Sequence, residues 1–381
     1  MKNVVVGAGV AGCTIARLLA EEDKKVLVIE KRDHIGGQAH DFYDINGILI
    51  HKYGPHIFHT NSRKVFNFLS KFTNWHIYNH EVLAFVDNQY IPVPFNINSI
   101  KKMFPEYLSK IYIKKLVNNF GYNTKITIWD LKNSKDKRLN ELGAYIYNKI
   151  FKNYTKKQWA LSPEDLNKEV TSRVPVNISK DNRYFFDKYQ VMPDMGYTYM
   201  FNKMLNHENI ELLLNTDYKS IIKKSGNDEF FLKNQKVKKL FYTGPVDYFF
   251  DFKFGQLPYR SLKFKFINFN REYYQNKGVI NYPNNYDFTR ITEFKHLTKQ
   301  KNILTTIVKE YPSSCNIQRG DIPYYPIPRK RNEKQYKKYH GEINNLDNVY
   351  FIGRLAEYKY YNMTSIIEKI LENFGSNYDR F

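Results

Sequence analysis

The stretch NVVVGAGVAGCTIARLLAEEDKKVLVIEKR, residues 3–32, decides the fold. Val4–Val6 reads as a strand, and Gly7, Gly9 and Gly12 follow at the GxGxxG spacing. Ile15, Leu18 and Leu19 then recur on one helical face, and Val26–Ile29 reads as a second strand closed by Glu30. Each glycine answers a steric need: Gly7 makes the turn, Gly9 lets main chain approach a pyrophosphate, and Gly12 lets the helix pack against the strand. The pyrophosphate would rest on the helix N-terminus, and Glu30 would accept hydrogen bonds from ribose hydroxyls. Strand, glycine turn, helix and acid together predict an α/β, Rossmann-type dinucleotide-binding fold.

The next residues, KRDHIGGQAH (31–40), place a basic residue and the pair Gly36-Gly37 just after the acid. This extended pattern resembles FAD-binding oxidase-type domains more than NAD dehydrogenases, although Gln38 stands where such domains usually carry Asn. Near the other end, NVYFIGRLAEYKYYNMTSIIEKILENFG (348–375) reads as a strand over Val349–Ile352, a Gly-Arg turn and a helix. The buried face of that helix would be Ile366, Ile367, Ile370, Leu371 and Phe374. Its N-terminus would face the flavin pyrimidine and stabilise the negative charge of a reduced ring.

A chain of 381 residues exceeds the size at which one core stops growing. The expected arrangement is a discontinuous FAD domain (1–78, 190–250 and 335–381), a helical domain (97–165), and an antiparallel sheet and substrate domain (79–96, 166–189 and 251–334). PEYLSKIYIKKLVNNFG (105–121) ends at a glycine stop, and Leu142, Tyr145, Ile146 and Ile150 follow helical spacing. Ser162-Pro163-Glu164-Asp165 reads as a capped helix start. FKFINF and NILTTIVKEY alternate as strands do.

Charge and composition narrow the function. The net charge of +21 comes from lysines spread along the chain, with no basic stripe interleaved with aromatics, so an anionic small substrate is expected rather than nucleic acid. Two cysteines make no disulfide framework, and Cys13 reads as a small packing residue. The chain enters its first strand at once without a charged-then-apolar leader, and no apolar run is long enough to span a membrane. A cytoplasmic protein without a metal site is expected.

The blocks GPHIFHT (54–60), YTKKQW (154–159), GPVDYFFDFKFGQLPYRSL (244–262), TRITE (289–293), KEYP (309–312), DIPYYPI (321–327) and FIGRLAEYKYYNM (351–363) occur in that order. Together they resemble the bacterial UDP-galactopyranose mutase family over nearly the whole chain. The resemblance implies an isomerase that interconverts the pyranose and furanose forms of a nucleotide sugar with no net redox change. Reduced FAD would attack the anomeric carbon through N5, and an external electron donor would reduce the flavin. A homodimer is among the expected assemblies. UDP-galactose is the default substrate, with UDP-N-acetylgalactosamine or dTDP-fucose as alternatives. Rival classes are a flavin oxidoreductase of the amine-oxidase type and a non-enzymatic binding protein for nucleic acid or an anionic membrane.

The same resemblance distributes roles. Arg173, Arg290, His56 and His59 are the candidate catalytic residues. The two arginines would hold the diphosphate, since a guanidinium matches phosphate oxygens two at a time and stays charged. Arg173 would sit on a loop closing over substrate. Tyr311 and Tyr360 would add hydroxyl donors, Tyr154 would stack on the base, and Trp159 would border the sugar. Because Tyr154 and Trp159 do not share a helical face, a helix end or bend is expected there. Thr155, Tyr184, Phe185, Asn79, Asn281 and Asn362 complete the substrate set. Gly7, Gly9, Val10, Gly12, Glu30, Lys31, Gly37, Gly54, Pro55, His56, Gly353, Arg354, Tyr360 and Met363 form the cofactor set. His51 is assigned a structural part. The departures are Asn362 where the family commonly has an acid, a shortened segment before Arg290, and His80 in place of the common Arg.

Overall fold

β1 (Asn3–Val6) and β2 (Val26–Ile29) pair in parallel, with Val4 beside Leu27 and Val5 beside Val28. All eight residues are buried, as continuous β-branched runs are when both faces of a sheet are covered. The computed structural model describes residues 2–166, 174–225 and 229–376, with side chains to 373. Five parallel strands form the sheet, in the order Ile210–Leu213, β2, β1, Leu240–Tyr242, Val349–Phe351. It therefore draws on the beginning, middle and end of the chain.

The helix α1 (Val10–Glu21) buries Cys13, Ile15 and Leu19 against the sheet and against Ile366, Ile367 and Ile370 of the C-terminal helix Met363–Ser376. Leu18 lies half-buried at the edge of that face, and the side chain of Phe374 falls outside the described residues. Burying each such aliphatic side chain stabilises by about 1.5–3 kcal/mol. Removing any of them should loosen the contact that brings the two ends of the chain together.

A second layer is a seven-stranded sheet, ordered Tyr325–Pro326, Tyr259–Phe269, Thr305–Ser314, Arg290–Glu293, Val279–Asn281, Val82–Val86, Gln89–Val93. It is antiparallel except where Val279–Asn281 runs parallel to Val82–Val86. The wholly antiparallel expectation fails at that pair. Almost two hundred residues separate the two strands, so no hairpin fixes their relative direction.

The helical segments lie between these strands. Glu106–Phe120 stops at Gly121, whose φ of +86° suits glycine. In the helix Lys137–Ile146, Leu139, Leu142 and Ile146 are fully buried, while Tyr145 turns aside to Asp87. A π-helical turn over Tyr147–Lys152 then shifts the helical phase before the helix Asn153–Trp159. That helix ends at Ala160 in the left-handed conformation, φ +54°. The end is where the mismatch between Tyr154 and Trp159 calls for one. Pro163–Asp165 forms a 3-10 turn without a side-chain cap from Ser162, and its continuation lies outside the described residues. Among the described residues, no helix is long and apolar enough to cross a membrane.

Candidate functional site

The glycine turn after β1 leaves no room for side chains. Gly7 has φ +101°, and a Cβ there would stand 2.2 Å from Thr243 Oγ1. A Cβ on Gly12 would meet Gly7 O at 1.8 Å, so helix and turn touch through main chain alone. Gly9 and Gly37 face each other, and a Cβ on Gly37 would come within 2.8 Å of Gly9 Cα. Glu30 accepts from Ala8 N at 2.8 Å with one oxygen and from Arg32 N at 2.9 Å with the other, which holds its remaining lone pairs open for hydroxyl donors.

Gly7, Gly9, Glu30 and Gly37 line a cavity of about 700 Å³, together with Val10, Lys31, His56, Gly353, Arg354 and Met363, while Gly12 stands behind it as the helix–turn contact. Its size and its two opposed glycines fit an extended dinucleotide. Lys31 pairs with Asp217 at 3.1 Å at one end. At the other end the C-terminal helix begins. Asn362 lines the cavity, and its Oδ1 accepts from Ser365 N at 2.7 Å. Asn362 is thus the helix N-cap, a position that Asn fills as well as Asp. Arg354 donates to Tyr361 O at 3.0 Å, to Gln38 Oε1 at 3.2 Å and to Tyr324 O at 3.3 Å, while Gln38 Nε2 reaches Pro323 O. The longer amide of Gln38 bridges two segments here.

The GPHIFHT loop turns at Gly54, φ +85°, where a Cβ would press on Phe264 at 3.0 Å. Gly54 and Pro55 shape this turn without lining the cavity, whereas His56 lines it. His56 Nδ1 donates to Gly54 O at 2.9 Å, which leaves Nε2 as the acceptor. Its main-chain N donates to His51 Nδ1 at 3.0 Å, so His51 does hold the loop. Burial pushes both rings down to about 3, and His56 is lowered further by His51, Arg354 and Arg290. His59 instead donates from Nδ1 to Asp187 at 2.8 Å and stacks on Phe185, with ring centroids 3.6 Å apart. Asp187, two residues after Phe185, escaped the sequence reading. Its only signal was an acid in YFFDKYQ.

Arg290 lies in a row across the second sheet. It is paired in register with Asn281 on one side and Glu310 on the other. Its Nε reaches Glu310 Oε2 at 3.0 Å and its Nη2 reaches Oε1 at 2.9 Å. Glu310 is almost wholly buried. Burial is the largest single effect on Arg290 and opposes its charge, but Glu310, Tyr154 and Tyr325 together more than offset it and hold the guanidinium charged. One edge of the Arg290 guanidinium is thus held by a carboxylate, and Nη1 remains for a ligand. Glu310 was missed because KEYP does not reveal which residue stands opposite it.

Tyr325 stacks on Tyr360 at 5.7 Å, Arg354 covers both rings, and Trp159 stands 6.0 Å from Tyr325. Tyr154, Tyr325, Tyr360, Glu310 and Arg290 are close enough to perturb one another's ionisation. Tyr311 does not join them. It follows Glu310 on the strand, points to the opposite face, and packs towards Phe288 at 6.0 Å. Tyr325, missed among 32 tyrosines, is the one in the cluster. Trp159 and Thr155 are buried. Tyr184 meets His80 edge-on at 5.7 Å, and Asn79 is exposed ahead of it. Arg173 lies outside the described residues.

The cradle and the fold define a dinucleotide-binding flavoprotein scaffold. A family model described as UDP-galactopyranose mutase matches residues 149–360, and one described as an NAD(P)-binding Rossmann-like domain matches residues 5–72. A dTDP-fucopyranose mutase of Escherichia coli is 35% identical over 374 residues, 97% of each chain. A UDP-galactopyranose mutase of Mycoplasma genitalium is 36% identical over 372 residues, 96% of this chain and 91% of the relative. The crystal structure of a reduced UDP-galactopyranose mutase shares the fold with a TM-score of 0.73, covering 99% of this chain and 96% of that one at 17% identity. The chain belongs to the UDP-galactopyranose mutase family: it is an isomerase, and the cofactor that its cradle fits is FAD.

Proposed function

We propose that this enzyme interconverts UDP-galactopyranose and UDP-galactofuranose. When bound and reduced, FAD supplies the nucleophile, its N5. The chain's residues have three tasks. Arg290, oriented by Glu310, holds and neutralises the diphosphate as it leaves, with hydroxyls of Tyr325 and Tyr360 as added donors. Tyr154 and Trp159 position the nucleotide and sugar. His56 presents an acceptor nitrogen at the cofactor cavity, and His59, fixed by Asp187, presents its Nε2 beside Phe185. Arg173 completes the diphosphate clamp, and the reading carries with it an external electron donor, a cytoplasmic setting and a homodimer.

The observation that carries the reading is the Arg290–Glu310 pair beside Tyr325 and Tyr360, with Arg354 linking that cluster to the cofactor cavity. An amine-oxidase-type site has no need of a cation held ready for a diphosphate. The test is anaerobic incubation of dithionite-reduced enzyme with UDP-galactopyranose, followed by chromatography for the furanose. Absence of furanose, or consumption of oxygen or nicotinamide with each turnover, would refute it. A second reading, dTDP-fucopyranose as substrate, is supported by the near-equal identity to the dTDP-fucopyranose mutase. A panel of both nucleotide sugars decides between them by kcat/KM.

A further inference from the structure

Arg260 is 5% exposed and has no carboxylate partner among the described residues. Its Nε donates to Gln158 O at 2.8 Å and its Nη2 to Lys157 O at 3.2 Å, both near the C-terminal end of the helix Asn153–Trp159. The negative end of that helix offsets part of its charge. A guanidinium carries five N–H donors, and those on Nη1 make no hydrogen bond to a described residue.

A cavity of about 290 Å³ lies against this arginine. Its lining includes Trp159, Arg260, Ser314, Arg329, Arg331 and Asn332, and no carboxylate. The side chains of Arg329 and Arg331 make no ion pair or hydrogen bond with described residues. The cavity also meets the N-terminus of the 14-residue helix Lys330–Ile343, where the N-cap Arg329 supplies no side-chain acceptor. Lys330 and Arg331 therefore place positive charge at the positive end of a helix, the unfavourable arrangement. Glu333 is the acid of that first turn, and it does not line the cavity. The acids that act on the neighbouring Cys315 are Asp321 and Asp247. They are already engaged, Asp321 with Asn316 N and Asp247 with Leu257 N and the Tyr259 hydroxyl.

Three guanidinium groups around one cavity, one of them buried, leave positive charge without a counter-charge among the described residues, and that is costly until an anion completes it. We infer that this cavity is a second anion site, for a small phosphate-bearing molecule whose oxygens accept from Arg260, Arg329 and Arg331. It shares no lining residue with the cofactor cavity. Trp159 and Leu161 line it, so an occupant braces the end of the helix that carries Tyr154 and the start of the segment leading to Arg173.

The test is calorimetric titration of inorganic pyrophosphate into FAD-loaded enzyme in the presence of saturating UDP, which fills the diphosphate site proposed above. One pyrophosphate per chain should bind. Arg331 is exposed, so Arg331→Gln leaves the fold intact; it should weaken binding about tenfold or more, with UDP affinity and flavin content unchanged. Arg329→Gln/Arg331→Gln should weaken it further. The inference is overturned if millimolar pyrophosphate gives no saturable heat beside UDP, or if Arg331→Gln binds as tightly as the parent. A response that salt abolishes equally in both proteins reports only the diffuse surface charge and overturns it as well. If UDP itself fails to bind, the proposed function falls, while the comparison of the parent with Arg331→Gln still decides this site.

Discussion

Arg290 and Glu310 stand opposite each other on neighbouring antiparallel strands and are joined by two hydrogen bonds of 3.0 and 2.9 Å. The carboxylate sits inside the sheet and the guanidinium at its edge of solvent. The pair therefore fixes the plane of the guanidinium before any ligand arrives, and the ordering cost is met on folding rather than on binding. Glu310→Gln keeps the shape and removes the charge. It should lower kcat/KM by about 10- to 100-fold, the scale of one charge-assisted hydrogen bond, while the protein stays yellow. Anaerobic turnover and the flavin-to-protein ratio measure this, and unimpaired turnover would remove Glu310 from the site.

Gly9 and Gly12 should separate cofactor binding from folding. Around Gly9 the nearest atom to an added Cβ is Gly37 Cα at 3.6 Å, so Gly9→Val intrudes mainly on the cavity. The variant should fold, with an unchanged far-UV spectrum, and be colourless. Gly12→Ala drives a Cβ into Gly7 O and should lower the thermal midpoint of the flavin-free protein as well. Gly9→Val isolated with a full complement of flavin would contradict the cradle geometry.

These two predictions rest on parts of the site that were legible in different degrees. Gly7, Gly9, Gly12 and Glu30 could be read directly, because each answers a local steric or hydrogen-bonding need within thirty residues. Arg290 could be named but its partner could not. Glu310 lies twenty residues on, and cross-strand register depends on packing that local alternation does not specify. The parallel pairing of Val279–Asn281 with Val82–Val86 was illegible for the same reason. Tyr311 and Tyr325 illustrate the limit of type without place. Both are tyrosines in matching blocks, and only strand parity shows that Tyr311 faces away.

Acid should destabilise the protein through its buried histidines. His51, His56 and His80 are each held neutral, pushed down to about 3 chiefly by burial. In the unfolded chain they titrate near 6.5. The unfolded state thus binds more protons between these values, and stability falls as pH drops from about 6.5 towards 3. The slope from three such groups reaches up to about 4 kcal/mol per pH unit. Thermal midpoints from pH 7.5 to 4.5 should show the fall, and His80→Gln should reduce its steepness. A flat profile would mean that these rings already carry protons in the native state.

Lys157 should matter for a different reason. Its ammonium donates to the carbonyls of Tyr282, Tyr286 and Phe288, and it thereby ties the helix bearing Tyr154 and Trp159 to the loop that delivers Arg290. Lys157→Met removes three hydrogen bonds at once and frees that loop. It should raise KM and lower kcat together, by several-fold to tenfold each, without loss of flavin. Unchanged steady-state constants would show that the loop holds its shape by other means.

Tyr325 and Tyr311 offer the sharpest comparison, because the same atom is removed from opposite faces of one sheet. Tyr325 stacks on Tyr360 under Arg354 and lies within electrostatic reach of Arg290, so its hydroxyl can donate to the diphosphate held there. Tyr311 packs towards Phe288 on the far face, where a hydroxyl meets no substrate. Tyr325→Phe should reduce kcat/KM by about tenfold, the scale of one lost hydrogen bond to a charged group. Tyr311→Phe should stay within about twofold of the parent, as a substitution away from the site does. Both variants keep their rings and should keep their midpoints, so the difference reads the hydroxyl alone. The reverse order of effects would place the substrate on the other side of the sheet and overturn the arrangement of Arg290, Glu310 and Tyr360 as a diphosphate clamp.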